Sequence, residues 1–268
     1  MIGQRGLIEK INTMIDSFPR FSIIVGAKGS GKHDIVKYIC NKLHLNIVEF
    51  GTGIDEVRKI IELSYEQDKP TCYFCPNADS MSLGAKNALL KITEEPPKNS
   101  YFILTLISLS NTLETIQSRA TVLPLDVYSN EDLVGYRKYR NYSDKFDYVI
   151  KDVCETTGDV DELFSHDVPS FYKFAETVAF QISIPTTGNI FKIPKNLKLT
   201  DKSDGYDPTL LFKTVRNLYI KKAIETKEHK YLYASNVTSD CLRDLNLPTV
   251  VKMGTIDKWI MDVRRVLR

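Results

Sequence analysis

Phe21-Ser22-Ile23-Ile24-Val25-Gly26-Ala27-Lys28-Gly29-Ser30-Gly31-Lys32-His33 is the stretch from which the fold is read. Five residues rich in β-branched and aromatic side chains read as a buried strand, and a glycine-rich turn follows. The amphipathic run Asp34 to Leu43 then reads as a helix. Gly26 to Lys32 has the G-x-x-x-x-G-K spacing of a phosphate-binding loop, set between a strand and a helix as that chemistry requires. Glycines let backbone N–H groups close around phosphate oxygens, and the helix N-terminus adds partial positive charge. The candidate anion-binding residues are Gly26, Gly29, Ser30, Gly31 and Lys32. One position departs from the pattern. A magnesium-ligating Ser or Thr is expected after the lysine, but His33 stands there and offers hard Mg²⁺ an ill-suited nitrogen.

Outward from the loop, the first half of the chain alternates short apolar runs with helical patterns. Ile54, Val57, Ile60, Ile61 and Tyr65 recur at helical spacing over 54–65, and Cys72 to Cys75 is strand-like. Leu83 to Glu94 is helical and stops at Pro96-Pro97; Tyr101 to Ile107 and Val122 to Leu125 are further strands. Strands separated by helices predict a parallel sheet covered on both faces. Beyond Asp126 the pattern becomes helical. Asn130 to Tyr139 and Phe146 to Thr156 are two helices, with Gly158 expected to end the second, and Leu210 to Ile224 and Ile256 to Leu267 are two more. Pro185, Gly188, Pro194, Gly205 and Pro208 make residues 185–208 a long connection outside the core.

Composition narrows the function classes. With 268 residues, 43% of them apolar and 26% charged, the chain suits two or three globular domains. It has no apolar run near the ~20 residues of a membrane span, and no basic segment leads an apolar core near Met1. A cytoplasmic protein without membrane contact is expected. Five irregularly spaced cysteines do not form a disulfide framework, and Cys72 and Cys75 are expected to be buried strand residues despite their C-x-x-C spacing. Charge is uneven: residues 1–170 carry 19 Lys and Arg against 24 Asp and Glu, a net −5, whereas residues 171–268 carry 17 against 10, a net +7. A basic third could touch nucleic acid, but the acids interspersed among Lys221, Lys222, Lys227 and Lys230 also suit a solvated helical surface.

Ala78-Asp79-Ser80-Met81 and Asn87-Ala88-Leu89-Leu90-Lys91-Ile92-Thr93-Glu94-Glu95-Pro96-Pro97 resemble the A-D-x-M and N-A-L-L-K-x-x-E-E-P-P segments of bacterial clamp-loader subunits of the AAA+ family. Ile2-Gly3-Gln4, Ile54-Asp55-Glu56-Val57-Arg58 and Thr115-Ile116-Gln117-Ser118-Arg119 are similar to further segments in the same order, with Ala120 where the last usually ends in cysteine. The clear motifs cover residues 2–120, and the delta-prime type of DNA polymerase III is the nearest in pattern.

This resemblance implies an α/β fold: an AAA+ P-loop domain with a parallel sheet (1–125), a small helical lid domain (126–168) and a C-terminal all-helical collar domain for oligomerisation (169–268). It also implies where catalysis is lost. The second strand should end in Asp-Glu, and Pro76 and Asn77 stand there; proline is no ligand, and asparagine cannot take the attacking water's proton. The polar sensor of the next strand aligns with Leu106, or with Thr105 one residue earlier, and the lid's sensor arginine aligns with Asp161. Arg119, preceded by Ser118, corresponds to an arginine finger that acts in trans. No cofactor is required on this reading, although ATP or ADP could bind without hydrolysis. The family's four-cysteine zinc site has only Cys40 between Lys32 and Thr71, so neither zinc nor another metal is expected. Expected partners are ATPase subunits and a clamp-opening subunit in a hetero-oligomeric ring, with primer-template DNA reached through the complex. The alternatives are an active AAA+ ATPase acting on DNA, and a viral or mobile-element interaction module built on this fold.

Overall fold

A computed structural model describes residues 2–184, 192–199, 205–245, 247 and 250–268. The chain divides into two compact units, Met1–Ser129 and Asn130–Arg268.

In the first unit, α1 (Arg5–Thr13) precedes β1 (Phe21–Val25), α2 (Lys32–Leu43), β2 (Asn46–Glu49) and α3 (Ile54–Glu66). Next come β3 (Thr71–Cys75), α4 (Leu83–Glu94), β4 (Ser100–Leu106), α5 (Glu114–Gln117) and β5 (Thr121–Pro124). The strands pair in the order β2-β3-β4-β1-β5, every neighbour parallel. Strand periodicity of two divides the core. Phe21, Ile23, Tyr73, Cys75, Phe102 and Leu104 pack on one face with Val57 and Ile60 of α3 and Leu89 and Ile92 of α4. Ile24, Cys72, Phe74 and Ile103 pack on the other with Ile11 of α1 and Ile35, Val36, Ile39 and Cys40 of α2. Burying each large side chain contributes about 1.5–3 kcal/mol, which makes near-continuous apolar strands the natural centre of such a sheet.

Two elements had no clear sequence signal. In α1 only Leu7 and Ile11 are buried, and β2 is an edge strand with Ile47 41% exposed, so neither shows a full apolar stripe. Gln4 explains the value of the chain's opening residues. Its Nε2 donates to Asp126 O at 3.0 Å, and Asp126 N donates to its Oε1 at 2.8 Å, so a wholly buried amide ties the N-terminus to the segment after β5.

The second unit is helical: α6 (Asn130–Tyr139), α7 (Asp147–Val153), α8 (Thr157–Phe164), α9 (Val168–Ser183), α10 (Pro208–Thr226), α11 (His229–Leu245) and α12 (Lys252–Leu267). Gly158 does not end a helix, contrary to the sequence expectation. It lies in the first turn of α8, behind a capping box in which Asp159 N donates to Thr156 Oγ1 at 3.1 Å and Thr156 N donates to Asp159 Oδ2 at 2.9 Å. Thr and Asp three residues apart satisfied two helix-start donors, which outweighs the stop suggested by an isolated glycine. Helix α9 begins similarly, with Ser170 N donating to Asp167 Oδ2 and Pro169 in the first turn.

Of the long connection, Pro185 and Gly188 lie outside the described residues. Its middle is not all surface, however, because Ile193, Pro194 and Leu197 are buried. Tyr206 N donates to Asn196 O at 3.1 Å and Lys198 N to Tyr206 O at 2.7 Å, closing the turn. At Gly205 a Cβ would stand 2.5 Å from the carbonyl carbon of Leu197, so only glycine permits that approach. At the centre of this unit Trp259 packs on Phe212 with the rings tilted and their centroids 4.2 Å apart, and its Nε1 donates to Thr238 Oγ1 at 3.0 Å.

Candidate nucleotide loop and arginine site

The loop between β1 and α2 holds Gly26, Gly29, Ser30, Gly31 and Lys32 together. Gly29 and Gly31 have φ of +78° and +83°, a conformation that side-chain-bearing residues rarely adopt. A Cβ at Gly26 would meet Ser30 Oγ at 2.7 Å. Ser30 Oγ donates to Ala27 O at 2.7 Å, and Tyr128 Oη donates to Ser30 O at 3.0 Å, bracing the turn from inside and from the segment after β5. Lys32 folds back over the loop: Nζ donates to Gly26 O at 2.7 Å and to Ala27 O at 2.8 Å. Burial lowers its pKa, with the nearby Asp79 charge opposing that shift.

The residue after Lys32 adjoins this loop in sequence, and β3 stands one strand beyond β4, the neighbour of β1 in the sheet. His33 turns aside, with Nε2 3.2 Å from Glu49 Oε1 and its ring edge-on to Phe74 at 4.9 Å. Beyond β3, Pro76 precedes Asn77, whose left-handed φ of 56° starts a short 3₁₀ turn at Ala78–Ser80. Asn77 N donates to Thr105 Oγ1 at 3.2 Å. Thr105 is therefore the polar group that β4 aims at the end of β3, while Leu106 is buried in the apolar cluster of the opposite face.

Asp79 is the acid closest to this region by sequence, and backbone groups engage its carboxylate. Ile107 N donates to both oxygens at 2.9 Å, and Asn111 Nδ2 donates to Oδ1 at 2.8 Å. The residue thus clamps the loop after β4. Asp161 lies in the second unit, where Tyr136 Oη donates to it at 2.7 Å, Tyr142 Oη at 3.0 Å, and Arg140 Nε stands 3.1 Å away. Burial and then Asp161 push the Tyr136 phenol up.

Ser118 and Arg119 follow α5. Ser118 Oγ donates to Thr115 O at 3.1 Å. Arg119 Nη1 donates to Thr115 O at 2.8 Å and Nη2 to Glu94 Oε1 at 2.8 Å, with the guanidinium side chain open to solvent. Its described contacts are with the ends of α4 and α5 rather than with the phosphate-loop residues.

All five cysteines are buried and free. Cys72 and Cys75, three apart on one strand, face opposite sides of the sheet and cannot converge on one ion. Among the described residues no cluster of three or more His, Cys, Asp or Glu has metal-binding geometry.

Sequence reasoning named the loop and Arg119 but missed the anchoring role of Asp79, the brace from Tyr128 and the pairing of Glu94. The A-D-x-M segment carried a signal for Asp79, since an acid placed just after a buried strand needs donors, although their position depends on the register of β4.

Residues 47–129 match the family described as DNA polymerase III, delta subunit. The delta' subunit of DNA polymerase III from Haemophilus influenzae is 38% identical over 82 residues, covering 30% of this chain and 25% of that protein. This part of the chain resembles the delta-prime clamp-loader subunits. The gamma subunit of DNA polymerase III from Buchnera aphidicola subsp. Schizaphis graminum is 24% identical over 172 residues, covering 52% of this chain and 47% of that protein. The chain therefore spans from a quarter to about half of the length of these relatives.

Among solved structures, a DNA polymerase III gamma subunit-related protein from Thermotoga maritima superposes with a TM-score of 0.51 at 15% identity. That match covers 98% of this chain and 100% of the other. The RuvB Holliday junction branch migration motor of the same organism gives 0.50 at 14% identity, covering 84% and 77%. At such identity these likenesses speak to the fold alone, a parallel α/β unit followed by helices.

Proposed function

We propose that this chain is a delta-prime-like subunit of a DNA polymerase III clamp loader, deficient in hydrolysis, that presents Arg119 to the ATP site of a neighbouring subunit. The observation that carries the reading is the exposed guanidinium at the end of Thr115-Ile116-Gln117-Ser118-Arg119, held by the ends of two helices. An arginine finger meets charge that develops in the transition state, and such groups raise phosphoryl-transfer rates by about 10³- to 10⁵-fold.

The chain's own loop supports the first half of the proposal. His33 is turned toward Glu49, Pro76 and Asn77 carry no carboxylate, and the carboxylate of Asp79 is engaged by backbone N–H groups. Metal anchoring and water activation are the main terms of ATP hydrolysis, so their loss leaves Lys32 with a phosphate-holding role at most. On this proposal ATP or ADP could occupy the loop without turnover, and no zinc is needed. The helices of 126–168 would serve as a lid and those of 169–268 as a ring-forming collar, with ATPase and clamp-opening subunits as neighbours and primer-template DNA reached through the assembly. A cytoplasmic location suits that role; among the described residues no helix is long and apolar enough to cross a membrane.

The test is Arg119→Ala in a loader reconstituted from the full chain and its ATPase subunits. DNA-stimulated turnover at the site facing Arg119 should fall by about 10³-fold or more, while the chain by itself, with magnesium and ATP, should show no turnover before or after the substitution. Unchanged loader ATPase would overturn the finger assignment. Magnesium-dependent turnover by the chain alone would favour an active ATPase instead.

A further inference from the structure

Two acceptors on different nitrogens fix both the direction and the plane of a guanidinium, because that group is flat and rigid. Thr115 O is supplied by Arg119's own helical turn, whereas Glu94 Oε1 comes from the last residue of α4, 25 positions away. Glu94 is poorly placed for its own helix. A carboxylate at a helix C-terminus faces the negative end of the macrodipole, where a cation is favoured. Arg119 brings that cation. Both partners also stand on anchored backbone: Ile92 and Thr93 just before Glu94 are buried, and Ile116 of α5 is fully buried.

We infer that Glu94 is a positioning residue for Arg119, holding the guanidinium in the orientation offered to a neighbouring subunit's nucleotide. This inference rests on the trans-acting role proposed above for Arg119. The pair orients the arginine without imprisoning it. Its side chains are 37% and 57% exposed, so water and salt screen their attraction. A guanidinium has five N–H donors, and these two bonds leave capacity for phosphate oxygens. A triphosphate, with several charges, would outcompete one exposed carboxylate.

The experiment uses the full chain in the reconstituted loader. Glu94→Ala should lower DNA-stimulated kcat by about two- to fivefold, the scale of an exposed ion pair, with KM for ATP unchanged. Glu94→Gln keeps an acceptor oxygen and should recover most of the loss. Glu95→Ala removes the same charge one residue further on and should leave kcat at the wild-type value. In an Arg119→Ala background, Glu94→Ala should add nothing. On the isolated chain, NMR relaxation of the Arg119 Nε–H should report greater mobility in Glu94→Ala and restored order in Glu94→Gln, which keeps the test independent of assembly.

If Arg119→Ala collapses turnover while Glu94→Ala matches wild type, the positioning role is overturned and the finger stands. A faster Glu94→Ala loader overturns it too, since Glu94 would then restrain the finger. A further loss in the Arg119→Ala background would make Glu94 a general structural residue. If Arg119→Ala itself has no effect, the proposed function has failed, and unchanged Arg119 mobility in Glu94→Ala would independently refute the positioning role.

Discussion

Asp79 shows how much one buried side chain can hold. With 7% of its surface exposed, it accepts the backbone N–H groups of Ile107 and Ser108 and the side-chain amide of Asn111, fixing the chain as it leaves β4. Asp79→Ala would leave those donors without their acceptor and should cost about 2–4 kcal/mol, read as a lower urea midpoint. Asp79→Asn retains a carbonyl oxygen and should cost less. The acid was visible in Ala78-Asp79-Ser80-Met81, but its partners lie 28 to 32 residues on and depend on how β4 registers with β3. Arg119 was equally visible, whereas its pairing with Glu94 needed the end of α4 to arrive beside α5.

At the scale of elements, the start of α8 joins two duties. Thr156 and Asp159 form the capping box, and Asp159 Oδ2 also accepts from Lys213 Nζ of α10 at 2.7 Å. Thr156→Ala should therefore cost about 1 kcal/mol, the usual scale of a lost N-cap. Asp159→Ala should cost about 3–5 kcal/mol, because it removes the cap and a partner of a buried ammonium. Thermal or urea unfolding of both variants checks that order; equal losses would mean that the pairing with Lys213 contributes little. The limits of α4 at Leu83–Glu94 were legible from its apolar spacing and the following prolines. Helix α9 was not read, although Asp167 and Pro169 carried its start signal.

For the molecule as a whole, pH should reveal the charge network buried in the second unit. Burial alone would lower the Lys213 pKa, but Asp159 and Glu155 outweigh it and raise it above 10.5. Burial alone would raise Glu155, but Lys213 and Arg216 hold it below 4.5. A raised lysine contributes stability that is present below pH 10.5 and disappears as pH climbs through its folded value. A depressed glutamate contributes stability that is present above pH 4.5 and disappears as pH falls through its folded value. The second unit should therefore be most stable between these limits and weaken on both sides. Fluorescence of Trp259 reports this directly: it is the only tryptophan, and it packs on Phe212, next to Lys213. Chemical denaturation at pH 4, 7 and 11 should give the highest midpoint at pH 7, and a midpoint unchanged at pH 11 would show that Lys213 is not part of the balance.

By itself the sequence determined the phosphate-loop geometry, the parallel α/β class of the first unit and the helical character of the second. Each rests on local rules: glycines that accept positive φ, apolar runs of strand length, and a 3.6-residue period. Only the tertiary structure decided what the charged residues do. Asp79 became a clamp, Asp161 an acceptor for two tyrosines, Glu155 and Asp159 the partners of a buried lysine, and Glu94 the partner of Arg119. A carboxylate's role depends on which donors fold against it, and those donors lie from 19 to 58 positions away in the chain.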